Sequence, residues 1–286
     1  MKSIIKWAGS KRRLVPRILG ALPVLKSADR CTFWEPFFGA GHVTHALSAL
    51  GRLPQCTIAS DINAELMNVH FQVRDNLTRL ASELAALKAQ YLEATDRAAV
   101  YYAWRDEFNR GSAASPVLEA ALFIALNKTG FNGLYRVNQL GAFNVPHGRY
   151  ENPAFLSIDD IIAVSTLMQP VDIAIGGMAA YLTMPRPGDV VYADPPYYGT
   201  FSSYASGGFT DSKDQVKLAA KLNRLADIGV YVVASNADCP EIRDMYRAEA
   251  GWDHIVLSRS QVINSDKTGR GKVSELLMVN KKNWRT

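Results

Sequence analysis

Apolar residues along this chain repeat in two ways. Short unbroken apolar runs, closed by Gly, Pro or an acid, predict buried strands; apolar residues recurring every three or four positions predict helices. Strand patterns begin at Thr32 and cover Cys56–Ser60, Val171–Ile175, Asp189–Ala193, Val230–Ser235, His254–Ser258 and Ser274–Val279. Helical patterns cover Arg12–Leu22, His42–Leu50, Leu66–Val73, Leu77–Leu92, Ala98–Phe108, Val117–Leu126, Ser157–Met168, Ser212–Ala226 and Pro240–Glu249. Pro23 stops the first helix, and Pro116 suits the first turn of the one that follows it. Strand and helix alternate at both ends of the chain, as in an α/β fold with a parallel sheet. Between them lies a stretch of helices alone, which reads as an inserted domain. The division is 1–64 and 153–286 for the α/β part and 65–152 for the insert. The last two strands flank a Gly/Lys/Arg loop, Asp266–Lys272, and predict an antiparallel hairpin.

Composition narrows the class. The 286 residues contain no apolar run long enough to span a bilayer, which takes about eighteen residues. The opening MKSIIKWAGSKRR lacks the apolar core of a secretory signal. Cys31, Cys56 and Cys239 are scattered, with no CxxC, so a reduced cytoplasmic setting without a metal site is expected. The net charge of +5 is unevenly spread. Residues 1–30 carry eight Lys/Arg against one Asp, residues 259–286 carry seven against two acids, and the body between is net negative. Basic ends suit a polyanion partner, and equally suit terminal lysines that are merely solvated.

Three stretches carry candidate chemistry. The run Asp189–Ala193 leads directly into Asp194-Pro195-Pro196-Tyr197, followed by the polar, Gly-rich stretch Gly199–Gly208. Two prolines remove two backbone donors, so a carboxylate, a carbonyl outside any ladder and an aromatic ring meet at a strand's C-terminal end, where open α/β sheets bind ligands. Glu35-Pro36-Phe37-Phe38-Gly39-Ala40-Gly41 places a Gly-x-Gly turn between a strand and a helix, and Asp61 ends the next strand. Such a turn lets backbone approach a ligand, and an acid at that spacing accepts from ribose hydroxyls, which points to an adenosine. Thr44 stands where a dinucleotide fingerprint needs a third glycine. His42 and His45, one helical turn apart without partners, read as helix-surface residues. Finally, the 24 residues Asn127–Tyr150 hold no acid, three Lys/Arg, four aromatics, four Gly and five Asn/Gln. Asn and Arg pair with base edges and aromatics stack, so this loop-rich hairpin reads as a DNA reader.

Together these residues resemble the Dam-type DNA adenine-N6 methyltransferases (D12 class), the α group of amino-methyltransferases. KWAGSK is similar to that family's opening KWAGGK, and EPFFGAG to its cofactor motif. Asp61-Ile62-Asn63 resembles the acidic end of its second strand, Asn127–Tyr150 its recognition hairpin, and DPPY its catalytic motif. The order of these motifs is also the family's. The resemblance implies a Rossmann-like, S-adenosylmethionine-dependent methyltransferase sheet with an inserted helical DNA-recognition domain ending in a β-hairpin. It implies S-adenosylmethionine contacts at Trp7, Lys11, Phe38, Gly39, Gly41, Asp61 and Asp194, and catalysis at Asp194, Pro195, Pro196 and Tyr197. Lys6, Leu134, Arg136 and Pro146 match readers of GATC bases. Asn132, with Phe131 beside it, matches a residue entering the stack next to a flipped adenine, and Arg149 matches a phosphate contact. Lys128 and Asn138 belong to the same DNA-binding stretch. Position 10 is Ser where the family has Gly, and position 128 is Lys where Arg is common; a lysine clamps phosphate without the bidentate fork.

The expectation is therefore a monomeric cytoplasmic enzyme that methylates double-stranded DNA, with Gly199–Gly208 closing over the flipped base and Arg12, Arg13 and Lys267–Lys272 on phosphates. RNA adenine or glutamine amino-methyltransferases are alternatives that need neither a helical insert nor an acid-free hairpin. A DNA-binding module without catalysis sits poorly with intact Asp61 and Asp194. A Rossmann oxidoreductase sits poorly with DPPY.

Overall fold

A computed structural model describes residues 3–111, 114–199, 212–260 and 272–284. Its frame is a seven-stranded sheet: β1 (Thr32–Glu35), β2 (Cys56–Asp61), β3 (Asp172–Ile175), β4 (Val190–Ala193), β5 (Tyr231–Ala237), β6 (Trp252–Ser260) and β7 (Lys272–Asn280). The spatial order is β3-β2-β1-β4-β5-β7-β6. The first five strands are parallel neighbours, whereas β7 runs antiparallel to both β5 and β6. Strand order reverses between β1 and β4, where an open parallel sheet leaves a crevice at its C-terminal edge.

The apolar runs that predicted strands are runs because both sheet faces are covered. All four residues of β4 are buried. Phe33, Val190, Tyr192 and Val233 face one core; Trp34, Val191, Ala193, Val232 and Ala234 face the other. Helices α1 (Val15–Ala21), α2 (His42–Ala49) and α3 (Ala64–Asp75) contribute to the first core, and α9 (Ser212–Asp227) and α10 (Pro240–Met245) to the second. Between them in sequence come α4 (Leu77–Glu93), α5 (Arg97–Asn109), α6 (Pro116–Thr129), α7 (Ile158–Met168) and the short α8 (Met178–Tyr181). Buried residues occur on every side of α6, which runs through the middle of this helical stretch. Ser115 caps it and Pro116 starts it. Apolar packing continues from the sheet through α3 into α4–α6 without a break.

Several details depart from the sequence pattern. Residues 12–14 form turns, and α1 begins only at Val15. The pattern over Pro240–Glu249 divides at Tyr246 into α10 and a 3-10 turn at Ala248–Ala250. His45 is a correction: it lies in the core, not on the helix surface. Its Nε2 is 3.0 Å from Met168 Sδ, and burial pushes its pKa down to about 3. The helix buries Val43, Thr44 and Leu47 as well, a face wide enough to take in the histidine. Gly199 is the last described residue before position 212, so nearly all of Gly199–Gly208 lies outside the described residues, as does most of Asp266–Lys272.

Candidate active site and nucleic-acid face

Three strand ends build the site. The Phe38–Gly41 turn follows β1, Asp61 ends β2, and Asp194 follows β4 directly. Gly39 and Gly41 hold φ of +52° and +70°, the left-handed region that favours glycine. A Cβ on Gly41 would stand 2.5 Å from the Phe38 ring, and one on Gly39 would stand 3.0 Å from Trp7. The turn is pinned from both sides. Asp61 Oδ2 accepts from Gly39 N–H at 3.0 Å, and His70 Nε2 lies 2.8 Å from the Gly39 carbonyl, placed to donate. Asp61 Oδ1 accepts from Asn63 N–H at 3.0 Å, yet the residue stays partly open to the crevice. Burial raises the Asp61 pKa, and these backbone donors work against it. The glycine cradle under an indole, with a partly open acceptor at its rim, fits an adenosine ligand.

Across the crevice, Lys11 is buried, and its Nζ lies 2.9 Å from Asp194 Oδ1 and 2.7 Å from the Gly9 carbonyl. The two side chains form an ion pair at hydrogen-bond length. The ammonium also stands 4.6 Å from the Tyr197 ring centroid, a cation–π contact. Burial pushes the Asp194 pKa up to about 6; Lys11 opposes this and Glu275 adds to it. Of the Asp194 side chain, 16% remains accessible. Tyr197 O–H donates to Glu275 Oε2 at 2.9 Å, which anchors the far end of the ring. Glu35 is buried at the end of β1 and accepts from Thr44 N–H at 3.1 Å and from the Thr44 hydroxyl. Burial pushes its pKa up to about 8.

The recognition stretch lies beyond α6. It is held by antiparallel bridges at Gly130–His147 and Val137–Phe143 and by a 3-10 turn at Phe131–Gly133. Asn127, buried in the last turn of α6, ties it to the chain's start. Its side chain accepts from Lys6 N–H and donates to the carbonyls of Lys6 and Gly133, each at 2.8 Å. Lys6 is thereby held exposed, with Nζ 5.4 Å from the Tyr150 ring centroid. Phe131, Asn132, Arg136, Asn138, Pro146 and Arg149 are exposed and Leu134 half-buried. Asn132 and Arg149 both hold φ of 55°, and Asn132 N–H donates to Tyr150 Oη at 2.9 Å. Arg136 is clasped by Asn144, with Nε 2.7 Å from Oδ1 and Nη2 3.1 Å from the backbone carbonyl. Two predicted DNA contacts sit differently. Lys128 is buried and donates to the Ser3 carbonyl at 3.2 Å, and Asn138 Oδ1 accepts from Leu140 N–H and Ala142 N–H at 2.9 and 3.0 Å.

Sequence reasoning passed over His70, Asn127, Gln215, Asn236 and Glu275. His70, Asn127, Asn236 and Glu275 stand beside apolar neighbours in a helix or strand, which is the only signal they offered, and Gln215, in the polar first turn of α9, offered none. Among the described residues, no three His, Cys, Asp or Glu side chains are grouped to hold a metal ion, and no helix is long and apolar enough to cross a membrane.

A Gly-x-Gly turn, a strand-end acid and DPPY around the switch point of this sheet define a Rossmann-like methyltransferase. The D12 class N6 adenine-specific DNA methyltransferase model matches residues 7–260. The chain belongs to that family and is an adenine-specific DNA methyltransferase. It is 34% identical to the type II methyltransferase M.MjaIII of Methanocaldococcus jannaschii, over 98% of this chain and 99% of that one. Against the retron Ec67 DNA adenine methylase of Escherichia coli the identity is 35%, over 86% and 81%. Against the DNA adenine methylase of Escherichia coli K12 it is 32%, over 98% and 95%.

Proposed function

We propose that the chain transfers a methyl group from S-adenosylmethionine to the exocyclic amino group of an adenine flipped out of a GATC duplex, acting as a monomer. The observation that carries this reading is the convergence of the Asp61–Gly39 cradle and the Lys11–Asp194 pair on one crevice.

Trp7, Phe38, the Gly39–Gly41 turn and Asp61 would hold S-adenosylmethionine, with Lys11 and Asp194 at the far side. When bound, that group supplies a methyl activated on a positively charged sulfur. The protein's part is alignment and polarisation. The amino nitrogen of adenine is a poor nucleophile because its lone pair is delocalised into the ring. The Asp194 carboxylate and the Pro195 carbonyl accept hydrogen bonds from it, draw it toward tetrahedral geometry and stabilise the charge that develops there. Tyr197, its hydroxyl anchored on Glu275, stacks on the base. Flipping costs roughly a few kcal/mol, and Asn132 and Phe131 offset part of that by filling the vacated stack. Lys6 and Arg136 donate to guanine edges, Leu134 and Pro146 touch thymine methyls, and Arg149 holds phosphate.

The test is transfer of labelled methyl to duplexes with and without GATC, by the wild type and by Asp194→Ala. Label is expected on GATC alone and is lost in the variant. Equal label on a scrambled duplex removes the specificity; retained transfer by Asp194→Ala removes the assignment of the site.

A further inference from the structure

The Asp194–Tyr197 turn presents two successive proline carbonyls. Only one serves the target in the reading above, so something must distinguish them. Asp194 and Pro195 each precede a proline, which biases both toward extended backbone.

The Pro196 carbonyl is taken. Gln215 Nε2, from the first turn of α9, donates to it at 2.7 Å. Gln215 Oε1 accepts from Asn236 Nδ2 on β5 at 2.9 Å. Asn236 Oδ1 then accepts from Tyr198 N–H at 3.0 Å and from Ala237 N–H at 2.8 Å. Both amides are buried, with 3% and 0% of their surface exposed. The chain of bonds has one possible sense. A proline carbonyl needs a donor and the Tyr198 amide needs an acceptor, so each amide group must face the way it does. Among the described residues no group donates to the Pro195 carbonyl.

We propose that Gln215 and Asn236 are positioning residues: their relay occupies the Pro196 carbonyl, anchors the Tyr198 amide, and so reserves the Pro195 carbonyl for the target amino group. The proposal rests on Asp194–Tyr197 being the site of transfer. It accounts for two buried amides whose oxygen and nitrogen atoms each have a partner. It also links α9 and β5 to the reacting atoms, since the turn is gripped on both sides of Tyr197. The relay touches neither the glycine cradle nor the recognition stretch, so its loss should leave both kinds of binding in place.

Gln215→Glu tests this with almost no change in shape. At pH 8 the ionised carboxylate sets an oxygen against the Pro196 carbonyl and pushes the turn away. The expected result is a fall in kcat of about 10- to 100-fold, the scale of a misplacement near 1 Å. KM for the duplex and Kd for S-adenosylmethionine, the latter by calorimetry, are expected to stay near wild type. Once protonated, the introduced carboxyl donates as the native amide does, so the ratio of variant to wild-type kcat is expected to recover from pH 8 to pH 6.5. Wild-type kcat in the folded variant overturns the proposal, and so does a loss confined to KM. If Gln215→Glu fails to fold, Gln215→Leu serves: lowered kcat with unchanged binding supports the relay, and unchanged kcat overturns it. Methyl transfer surviving Asp194→Ala is a separate failure, of the underlying site and not of the relay.

Discussion

Lys11 and Asp194 form a 2.9 Å ion pair across the crevice, between the N-terminal turn and the end of β4. The contact decides a protonation state. Burial drives the Asp194 pKa up to about 6, and Lys11 is the main influence holding it down. In the proposed role Asp194 accepts from the target amino group and stabilises the charge that develops there, which calls for the ionised form. Activity of the wild type is therefore expected to fall as pH drops through about 6. Lys11→Met lets Asp194 hold its proton to higher pH, so the acid limb of kcat/KM moves upward and activity at pH 7 falls by about tenfold or more. Lys11→Arg keeps the charge and returns the limb toward its original position. An acid limb that stays in place in Lys11→Met would mean that Asp194 is not the group being titrated.

Glu35 offers a stability counterpart. Its pKa rises from 4.5 to about 8 because it is buried, with the Thr44 hydroxyl and amide both on Oε2. Below the unfolded value both states hold the proton. As pH rises from there through about 8, the unfolded chain gives up its proton while the folded one retains it, and stability falls across that window. Glu35→Gln cannot ionise and keeps an oxygen for Thr44. The variant is expected to match or exceed the wild-type Tm at pH 8 and to show a flatter Tm against pH between about 5 and 8. A steeper dependence than wild type would refute the buried, protonated state.

How much of this was legible beforehand follows from what kind of interaction each residue makes. Strand β4 is an unbroken apolar run, and so is β5 as far as Ala234, because the sheet is covered on both faces, so their places were readable. Gly39, Gly41, Asp61 and Asp194 sit at strand ends, where turn chemistry shows in the sequence itself. His45 misled because a one-turn histidine pair looks polar, while the wide buried face of α2 shows only once α7 packs on it. The bonds that Asn127 and Asn236 make were invisible for a related reason. Asn127 meets a partner 121 residues away and Asn236 one 21 residues away, and no local pattern records a bond of that span.

His70 should govern how firmly the glycine turn is held. Its ring packs 4.6 Å from Phe38, and its Nε2 meets the Gly39 carbonyl. Burial pushes its pKa down to about 4, so it is a neutral donor at working pH. His70→Phe fills most of the space and removes the bond. Affinity for S-adenosylmethionine is expected to weaken about fivefold by calorimetry, in line with roughly 1 kcal/mol for one hydrogen bond. The depressed pKa also has a stability consequence. Its contribution is present above pH 6.5 and is lost as pH falls toward about 4, because the unfolded histidine takes up a proton that the folded one refuses. The Phe variant should lose stability less steeply over that window. Unchanged affinity in a folded His70→Phe protein would show that the turn keeps its shape without the bond.

The roles proposed for Arg136 and Arg149 separate reading from holding. Asn144 grips Arg136 through Nε and Nη2, which aims the exposed guanidinium and lowers the entropy lost on meeting a base. A base contact pays only on the right sequence. Arg136→Ala is expected to cost about 1–3 kcal/mol on GATC duplexes, with little loss on duplexes altered at the pair it reads, so that preference there collapses. Asn144→Ala should give a smaller loss at the same pair, because the arginine remains but is no longer aimed. Arg149 stands on a left-handed backbone at the far end of the stretch, exposed and without a base-reading clasp. If it meets phosphate, Arg149→Ala weakens binding alike on every sequence and lowers the salt slope of log K by about one. Binding titrations on single-substituted duplexes at several salt concentrations distinguish the two. A uniform loss for Arg136→Ala, or a sequence-selective loss for Arg149→Ala, would reverse the roles assigned to them.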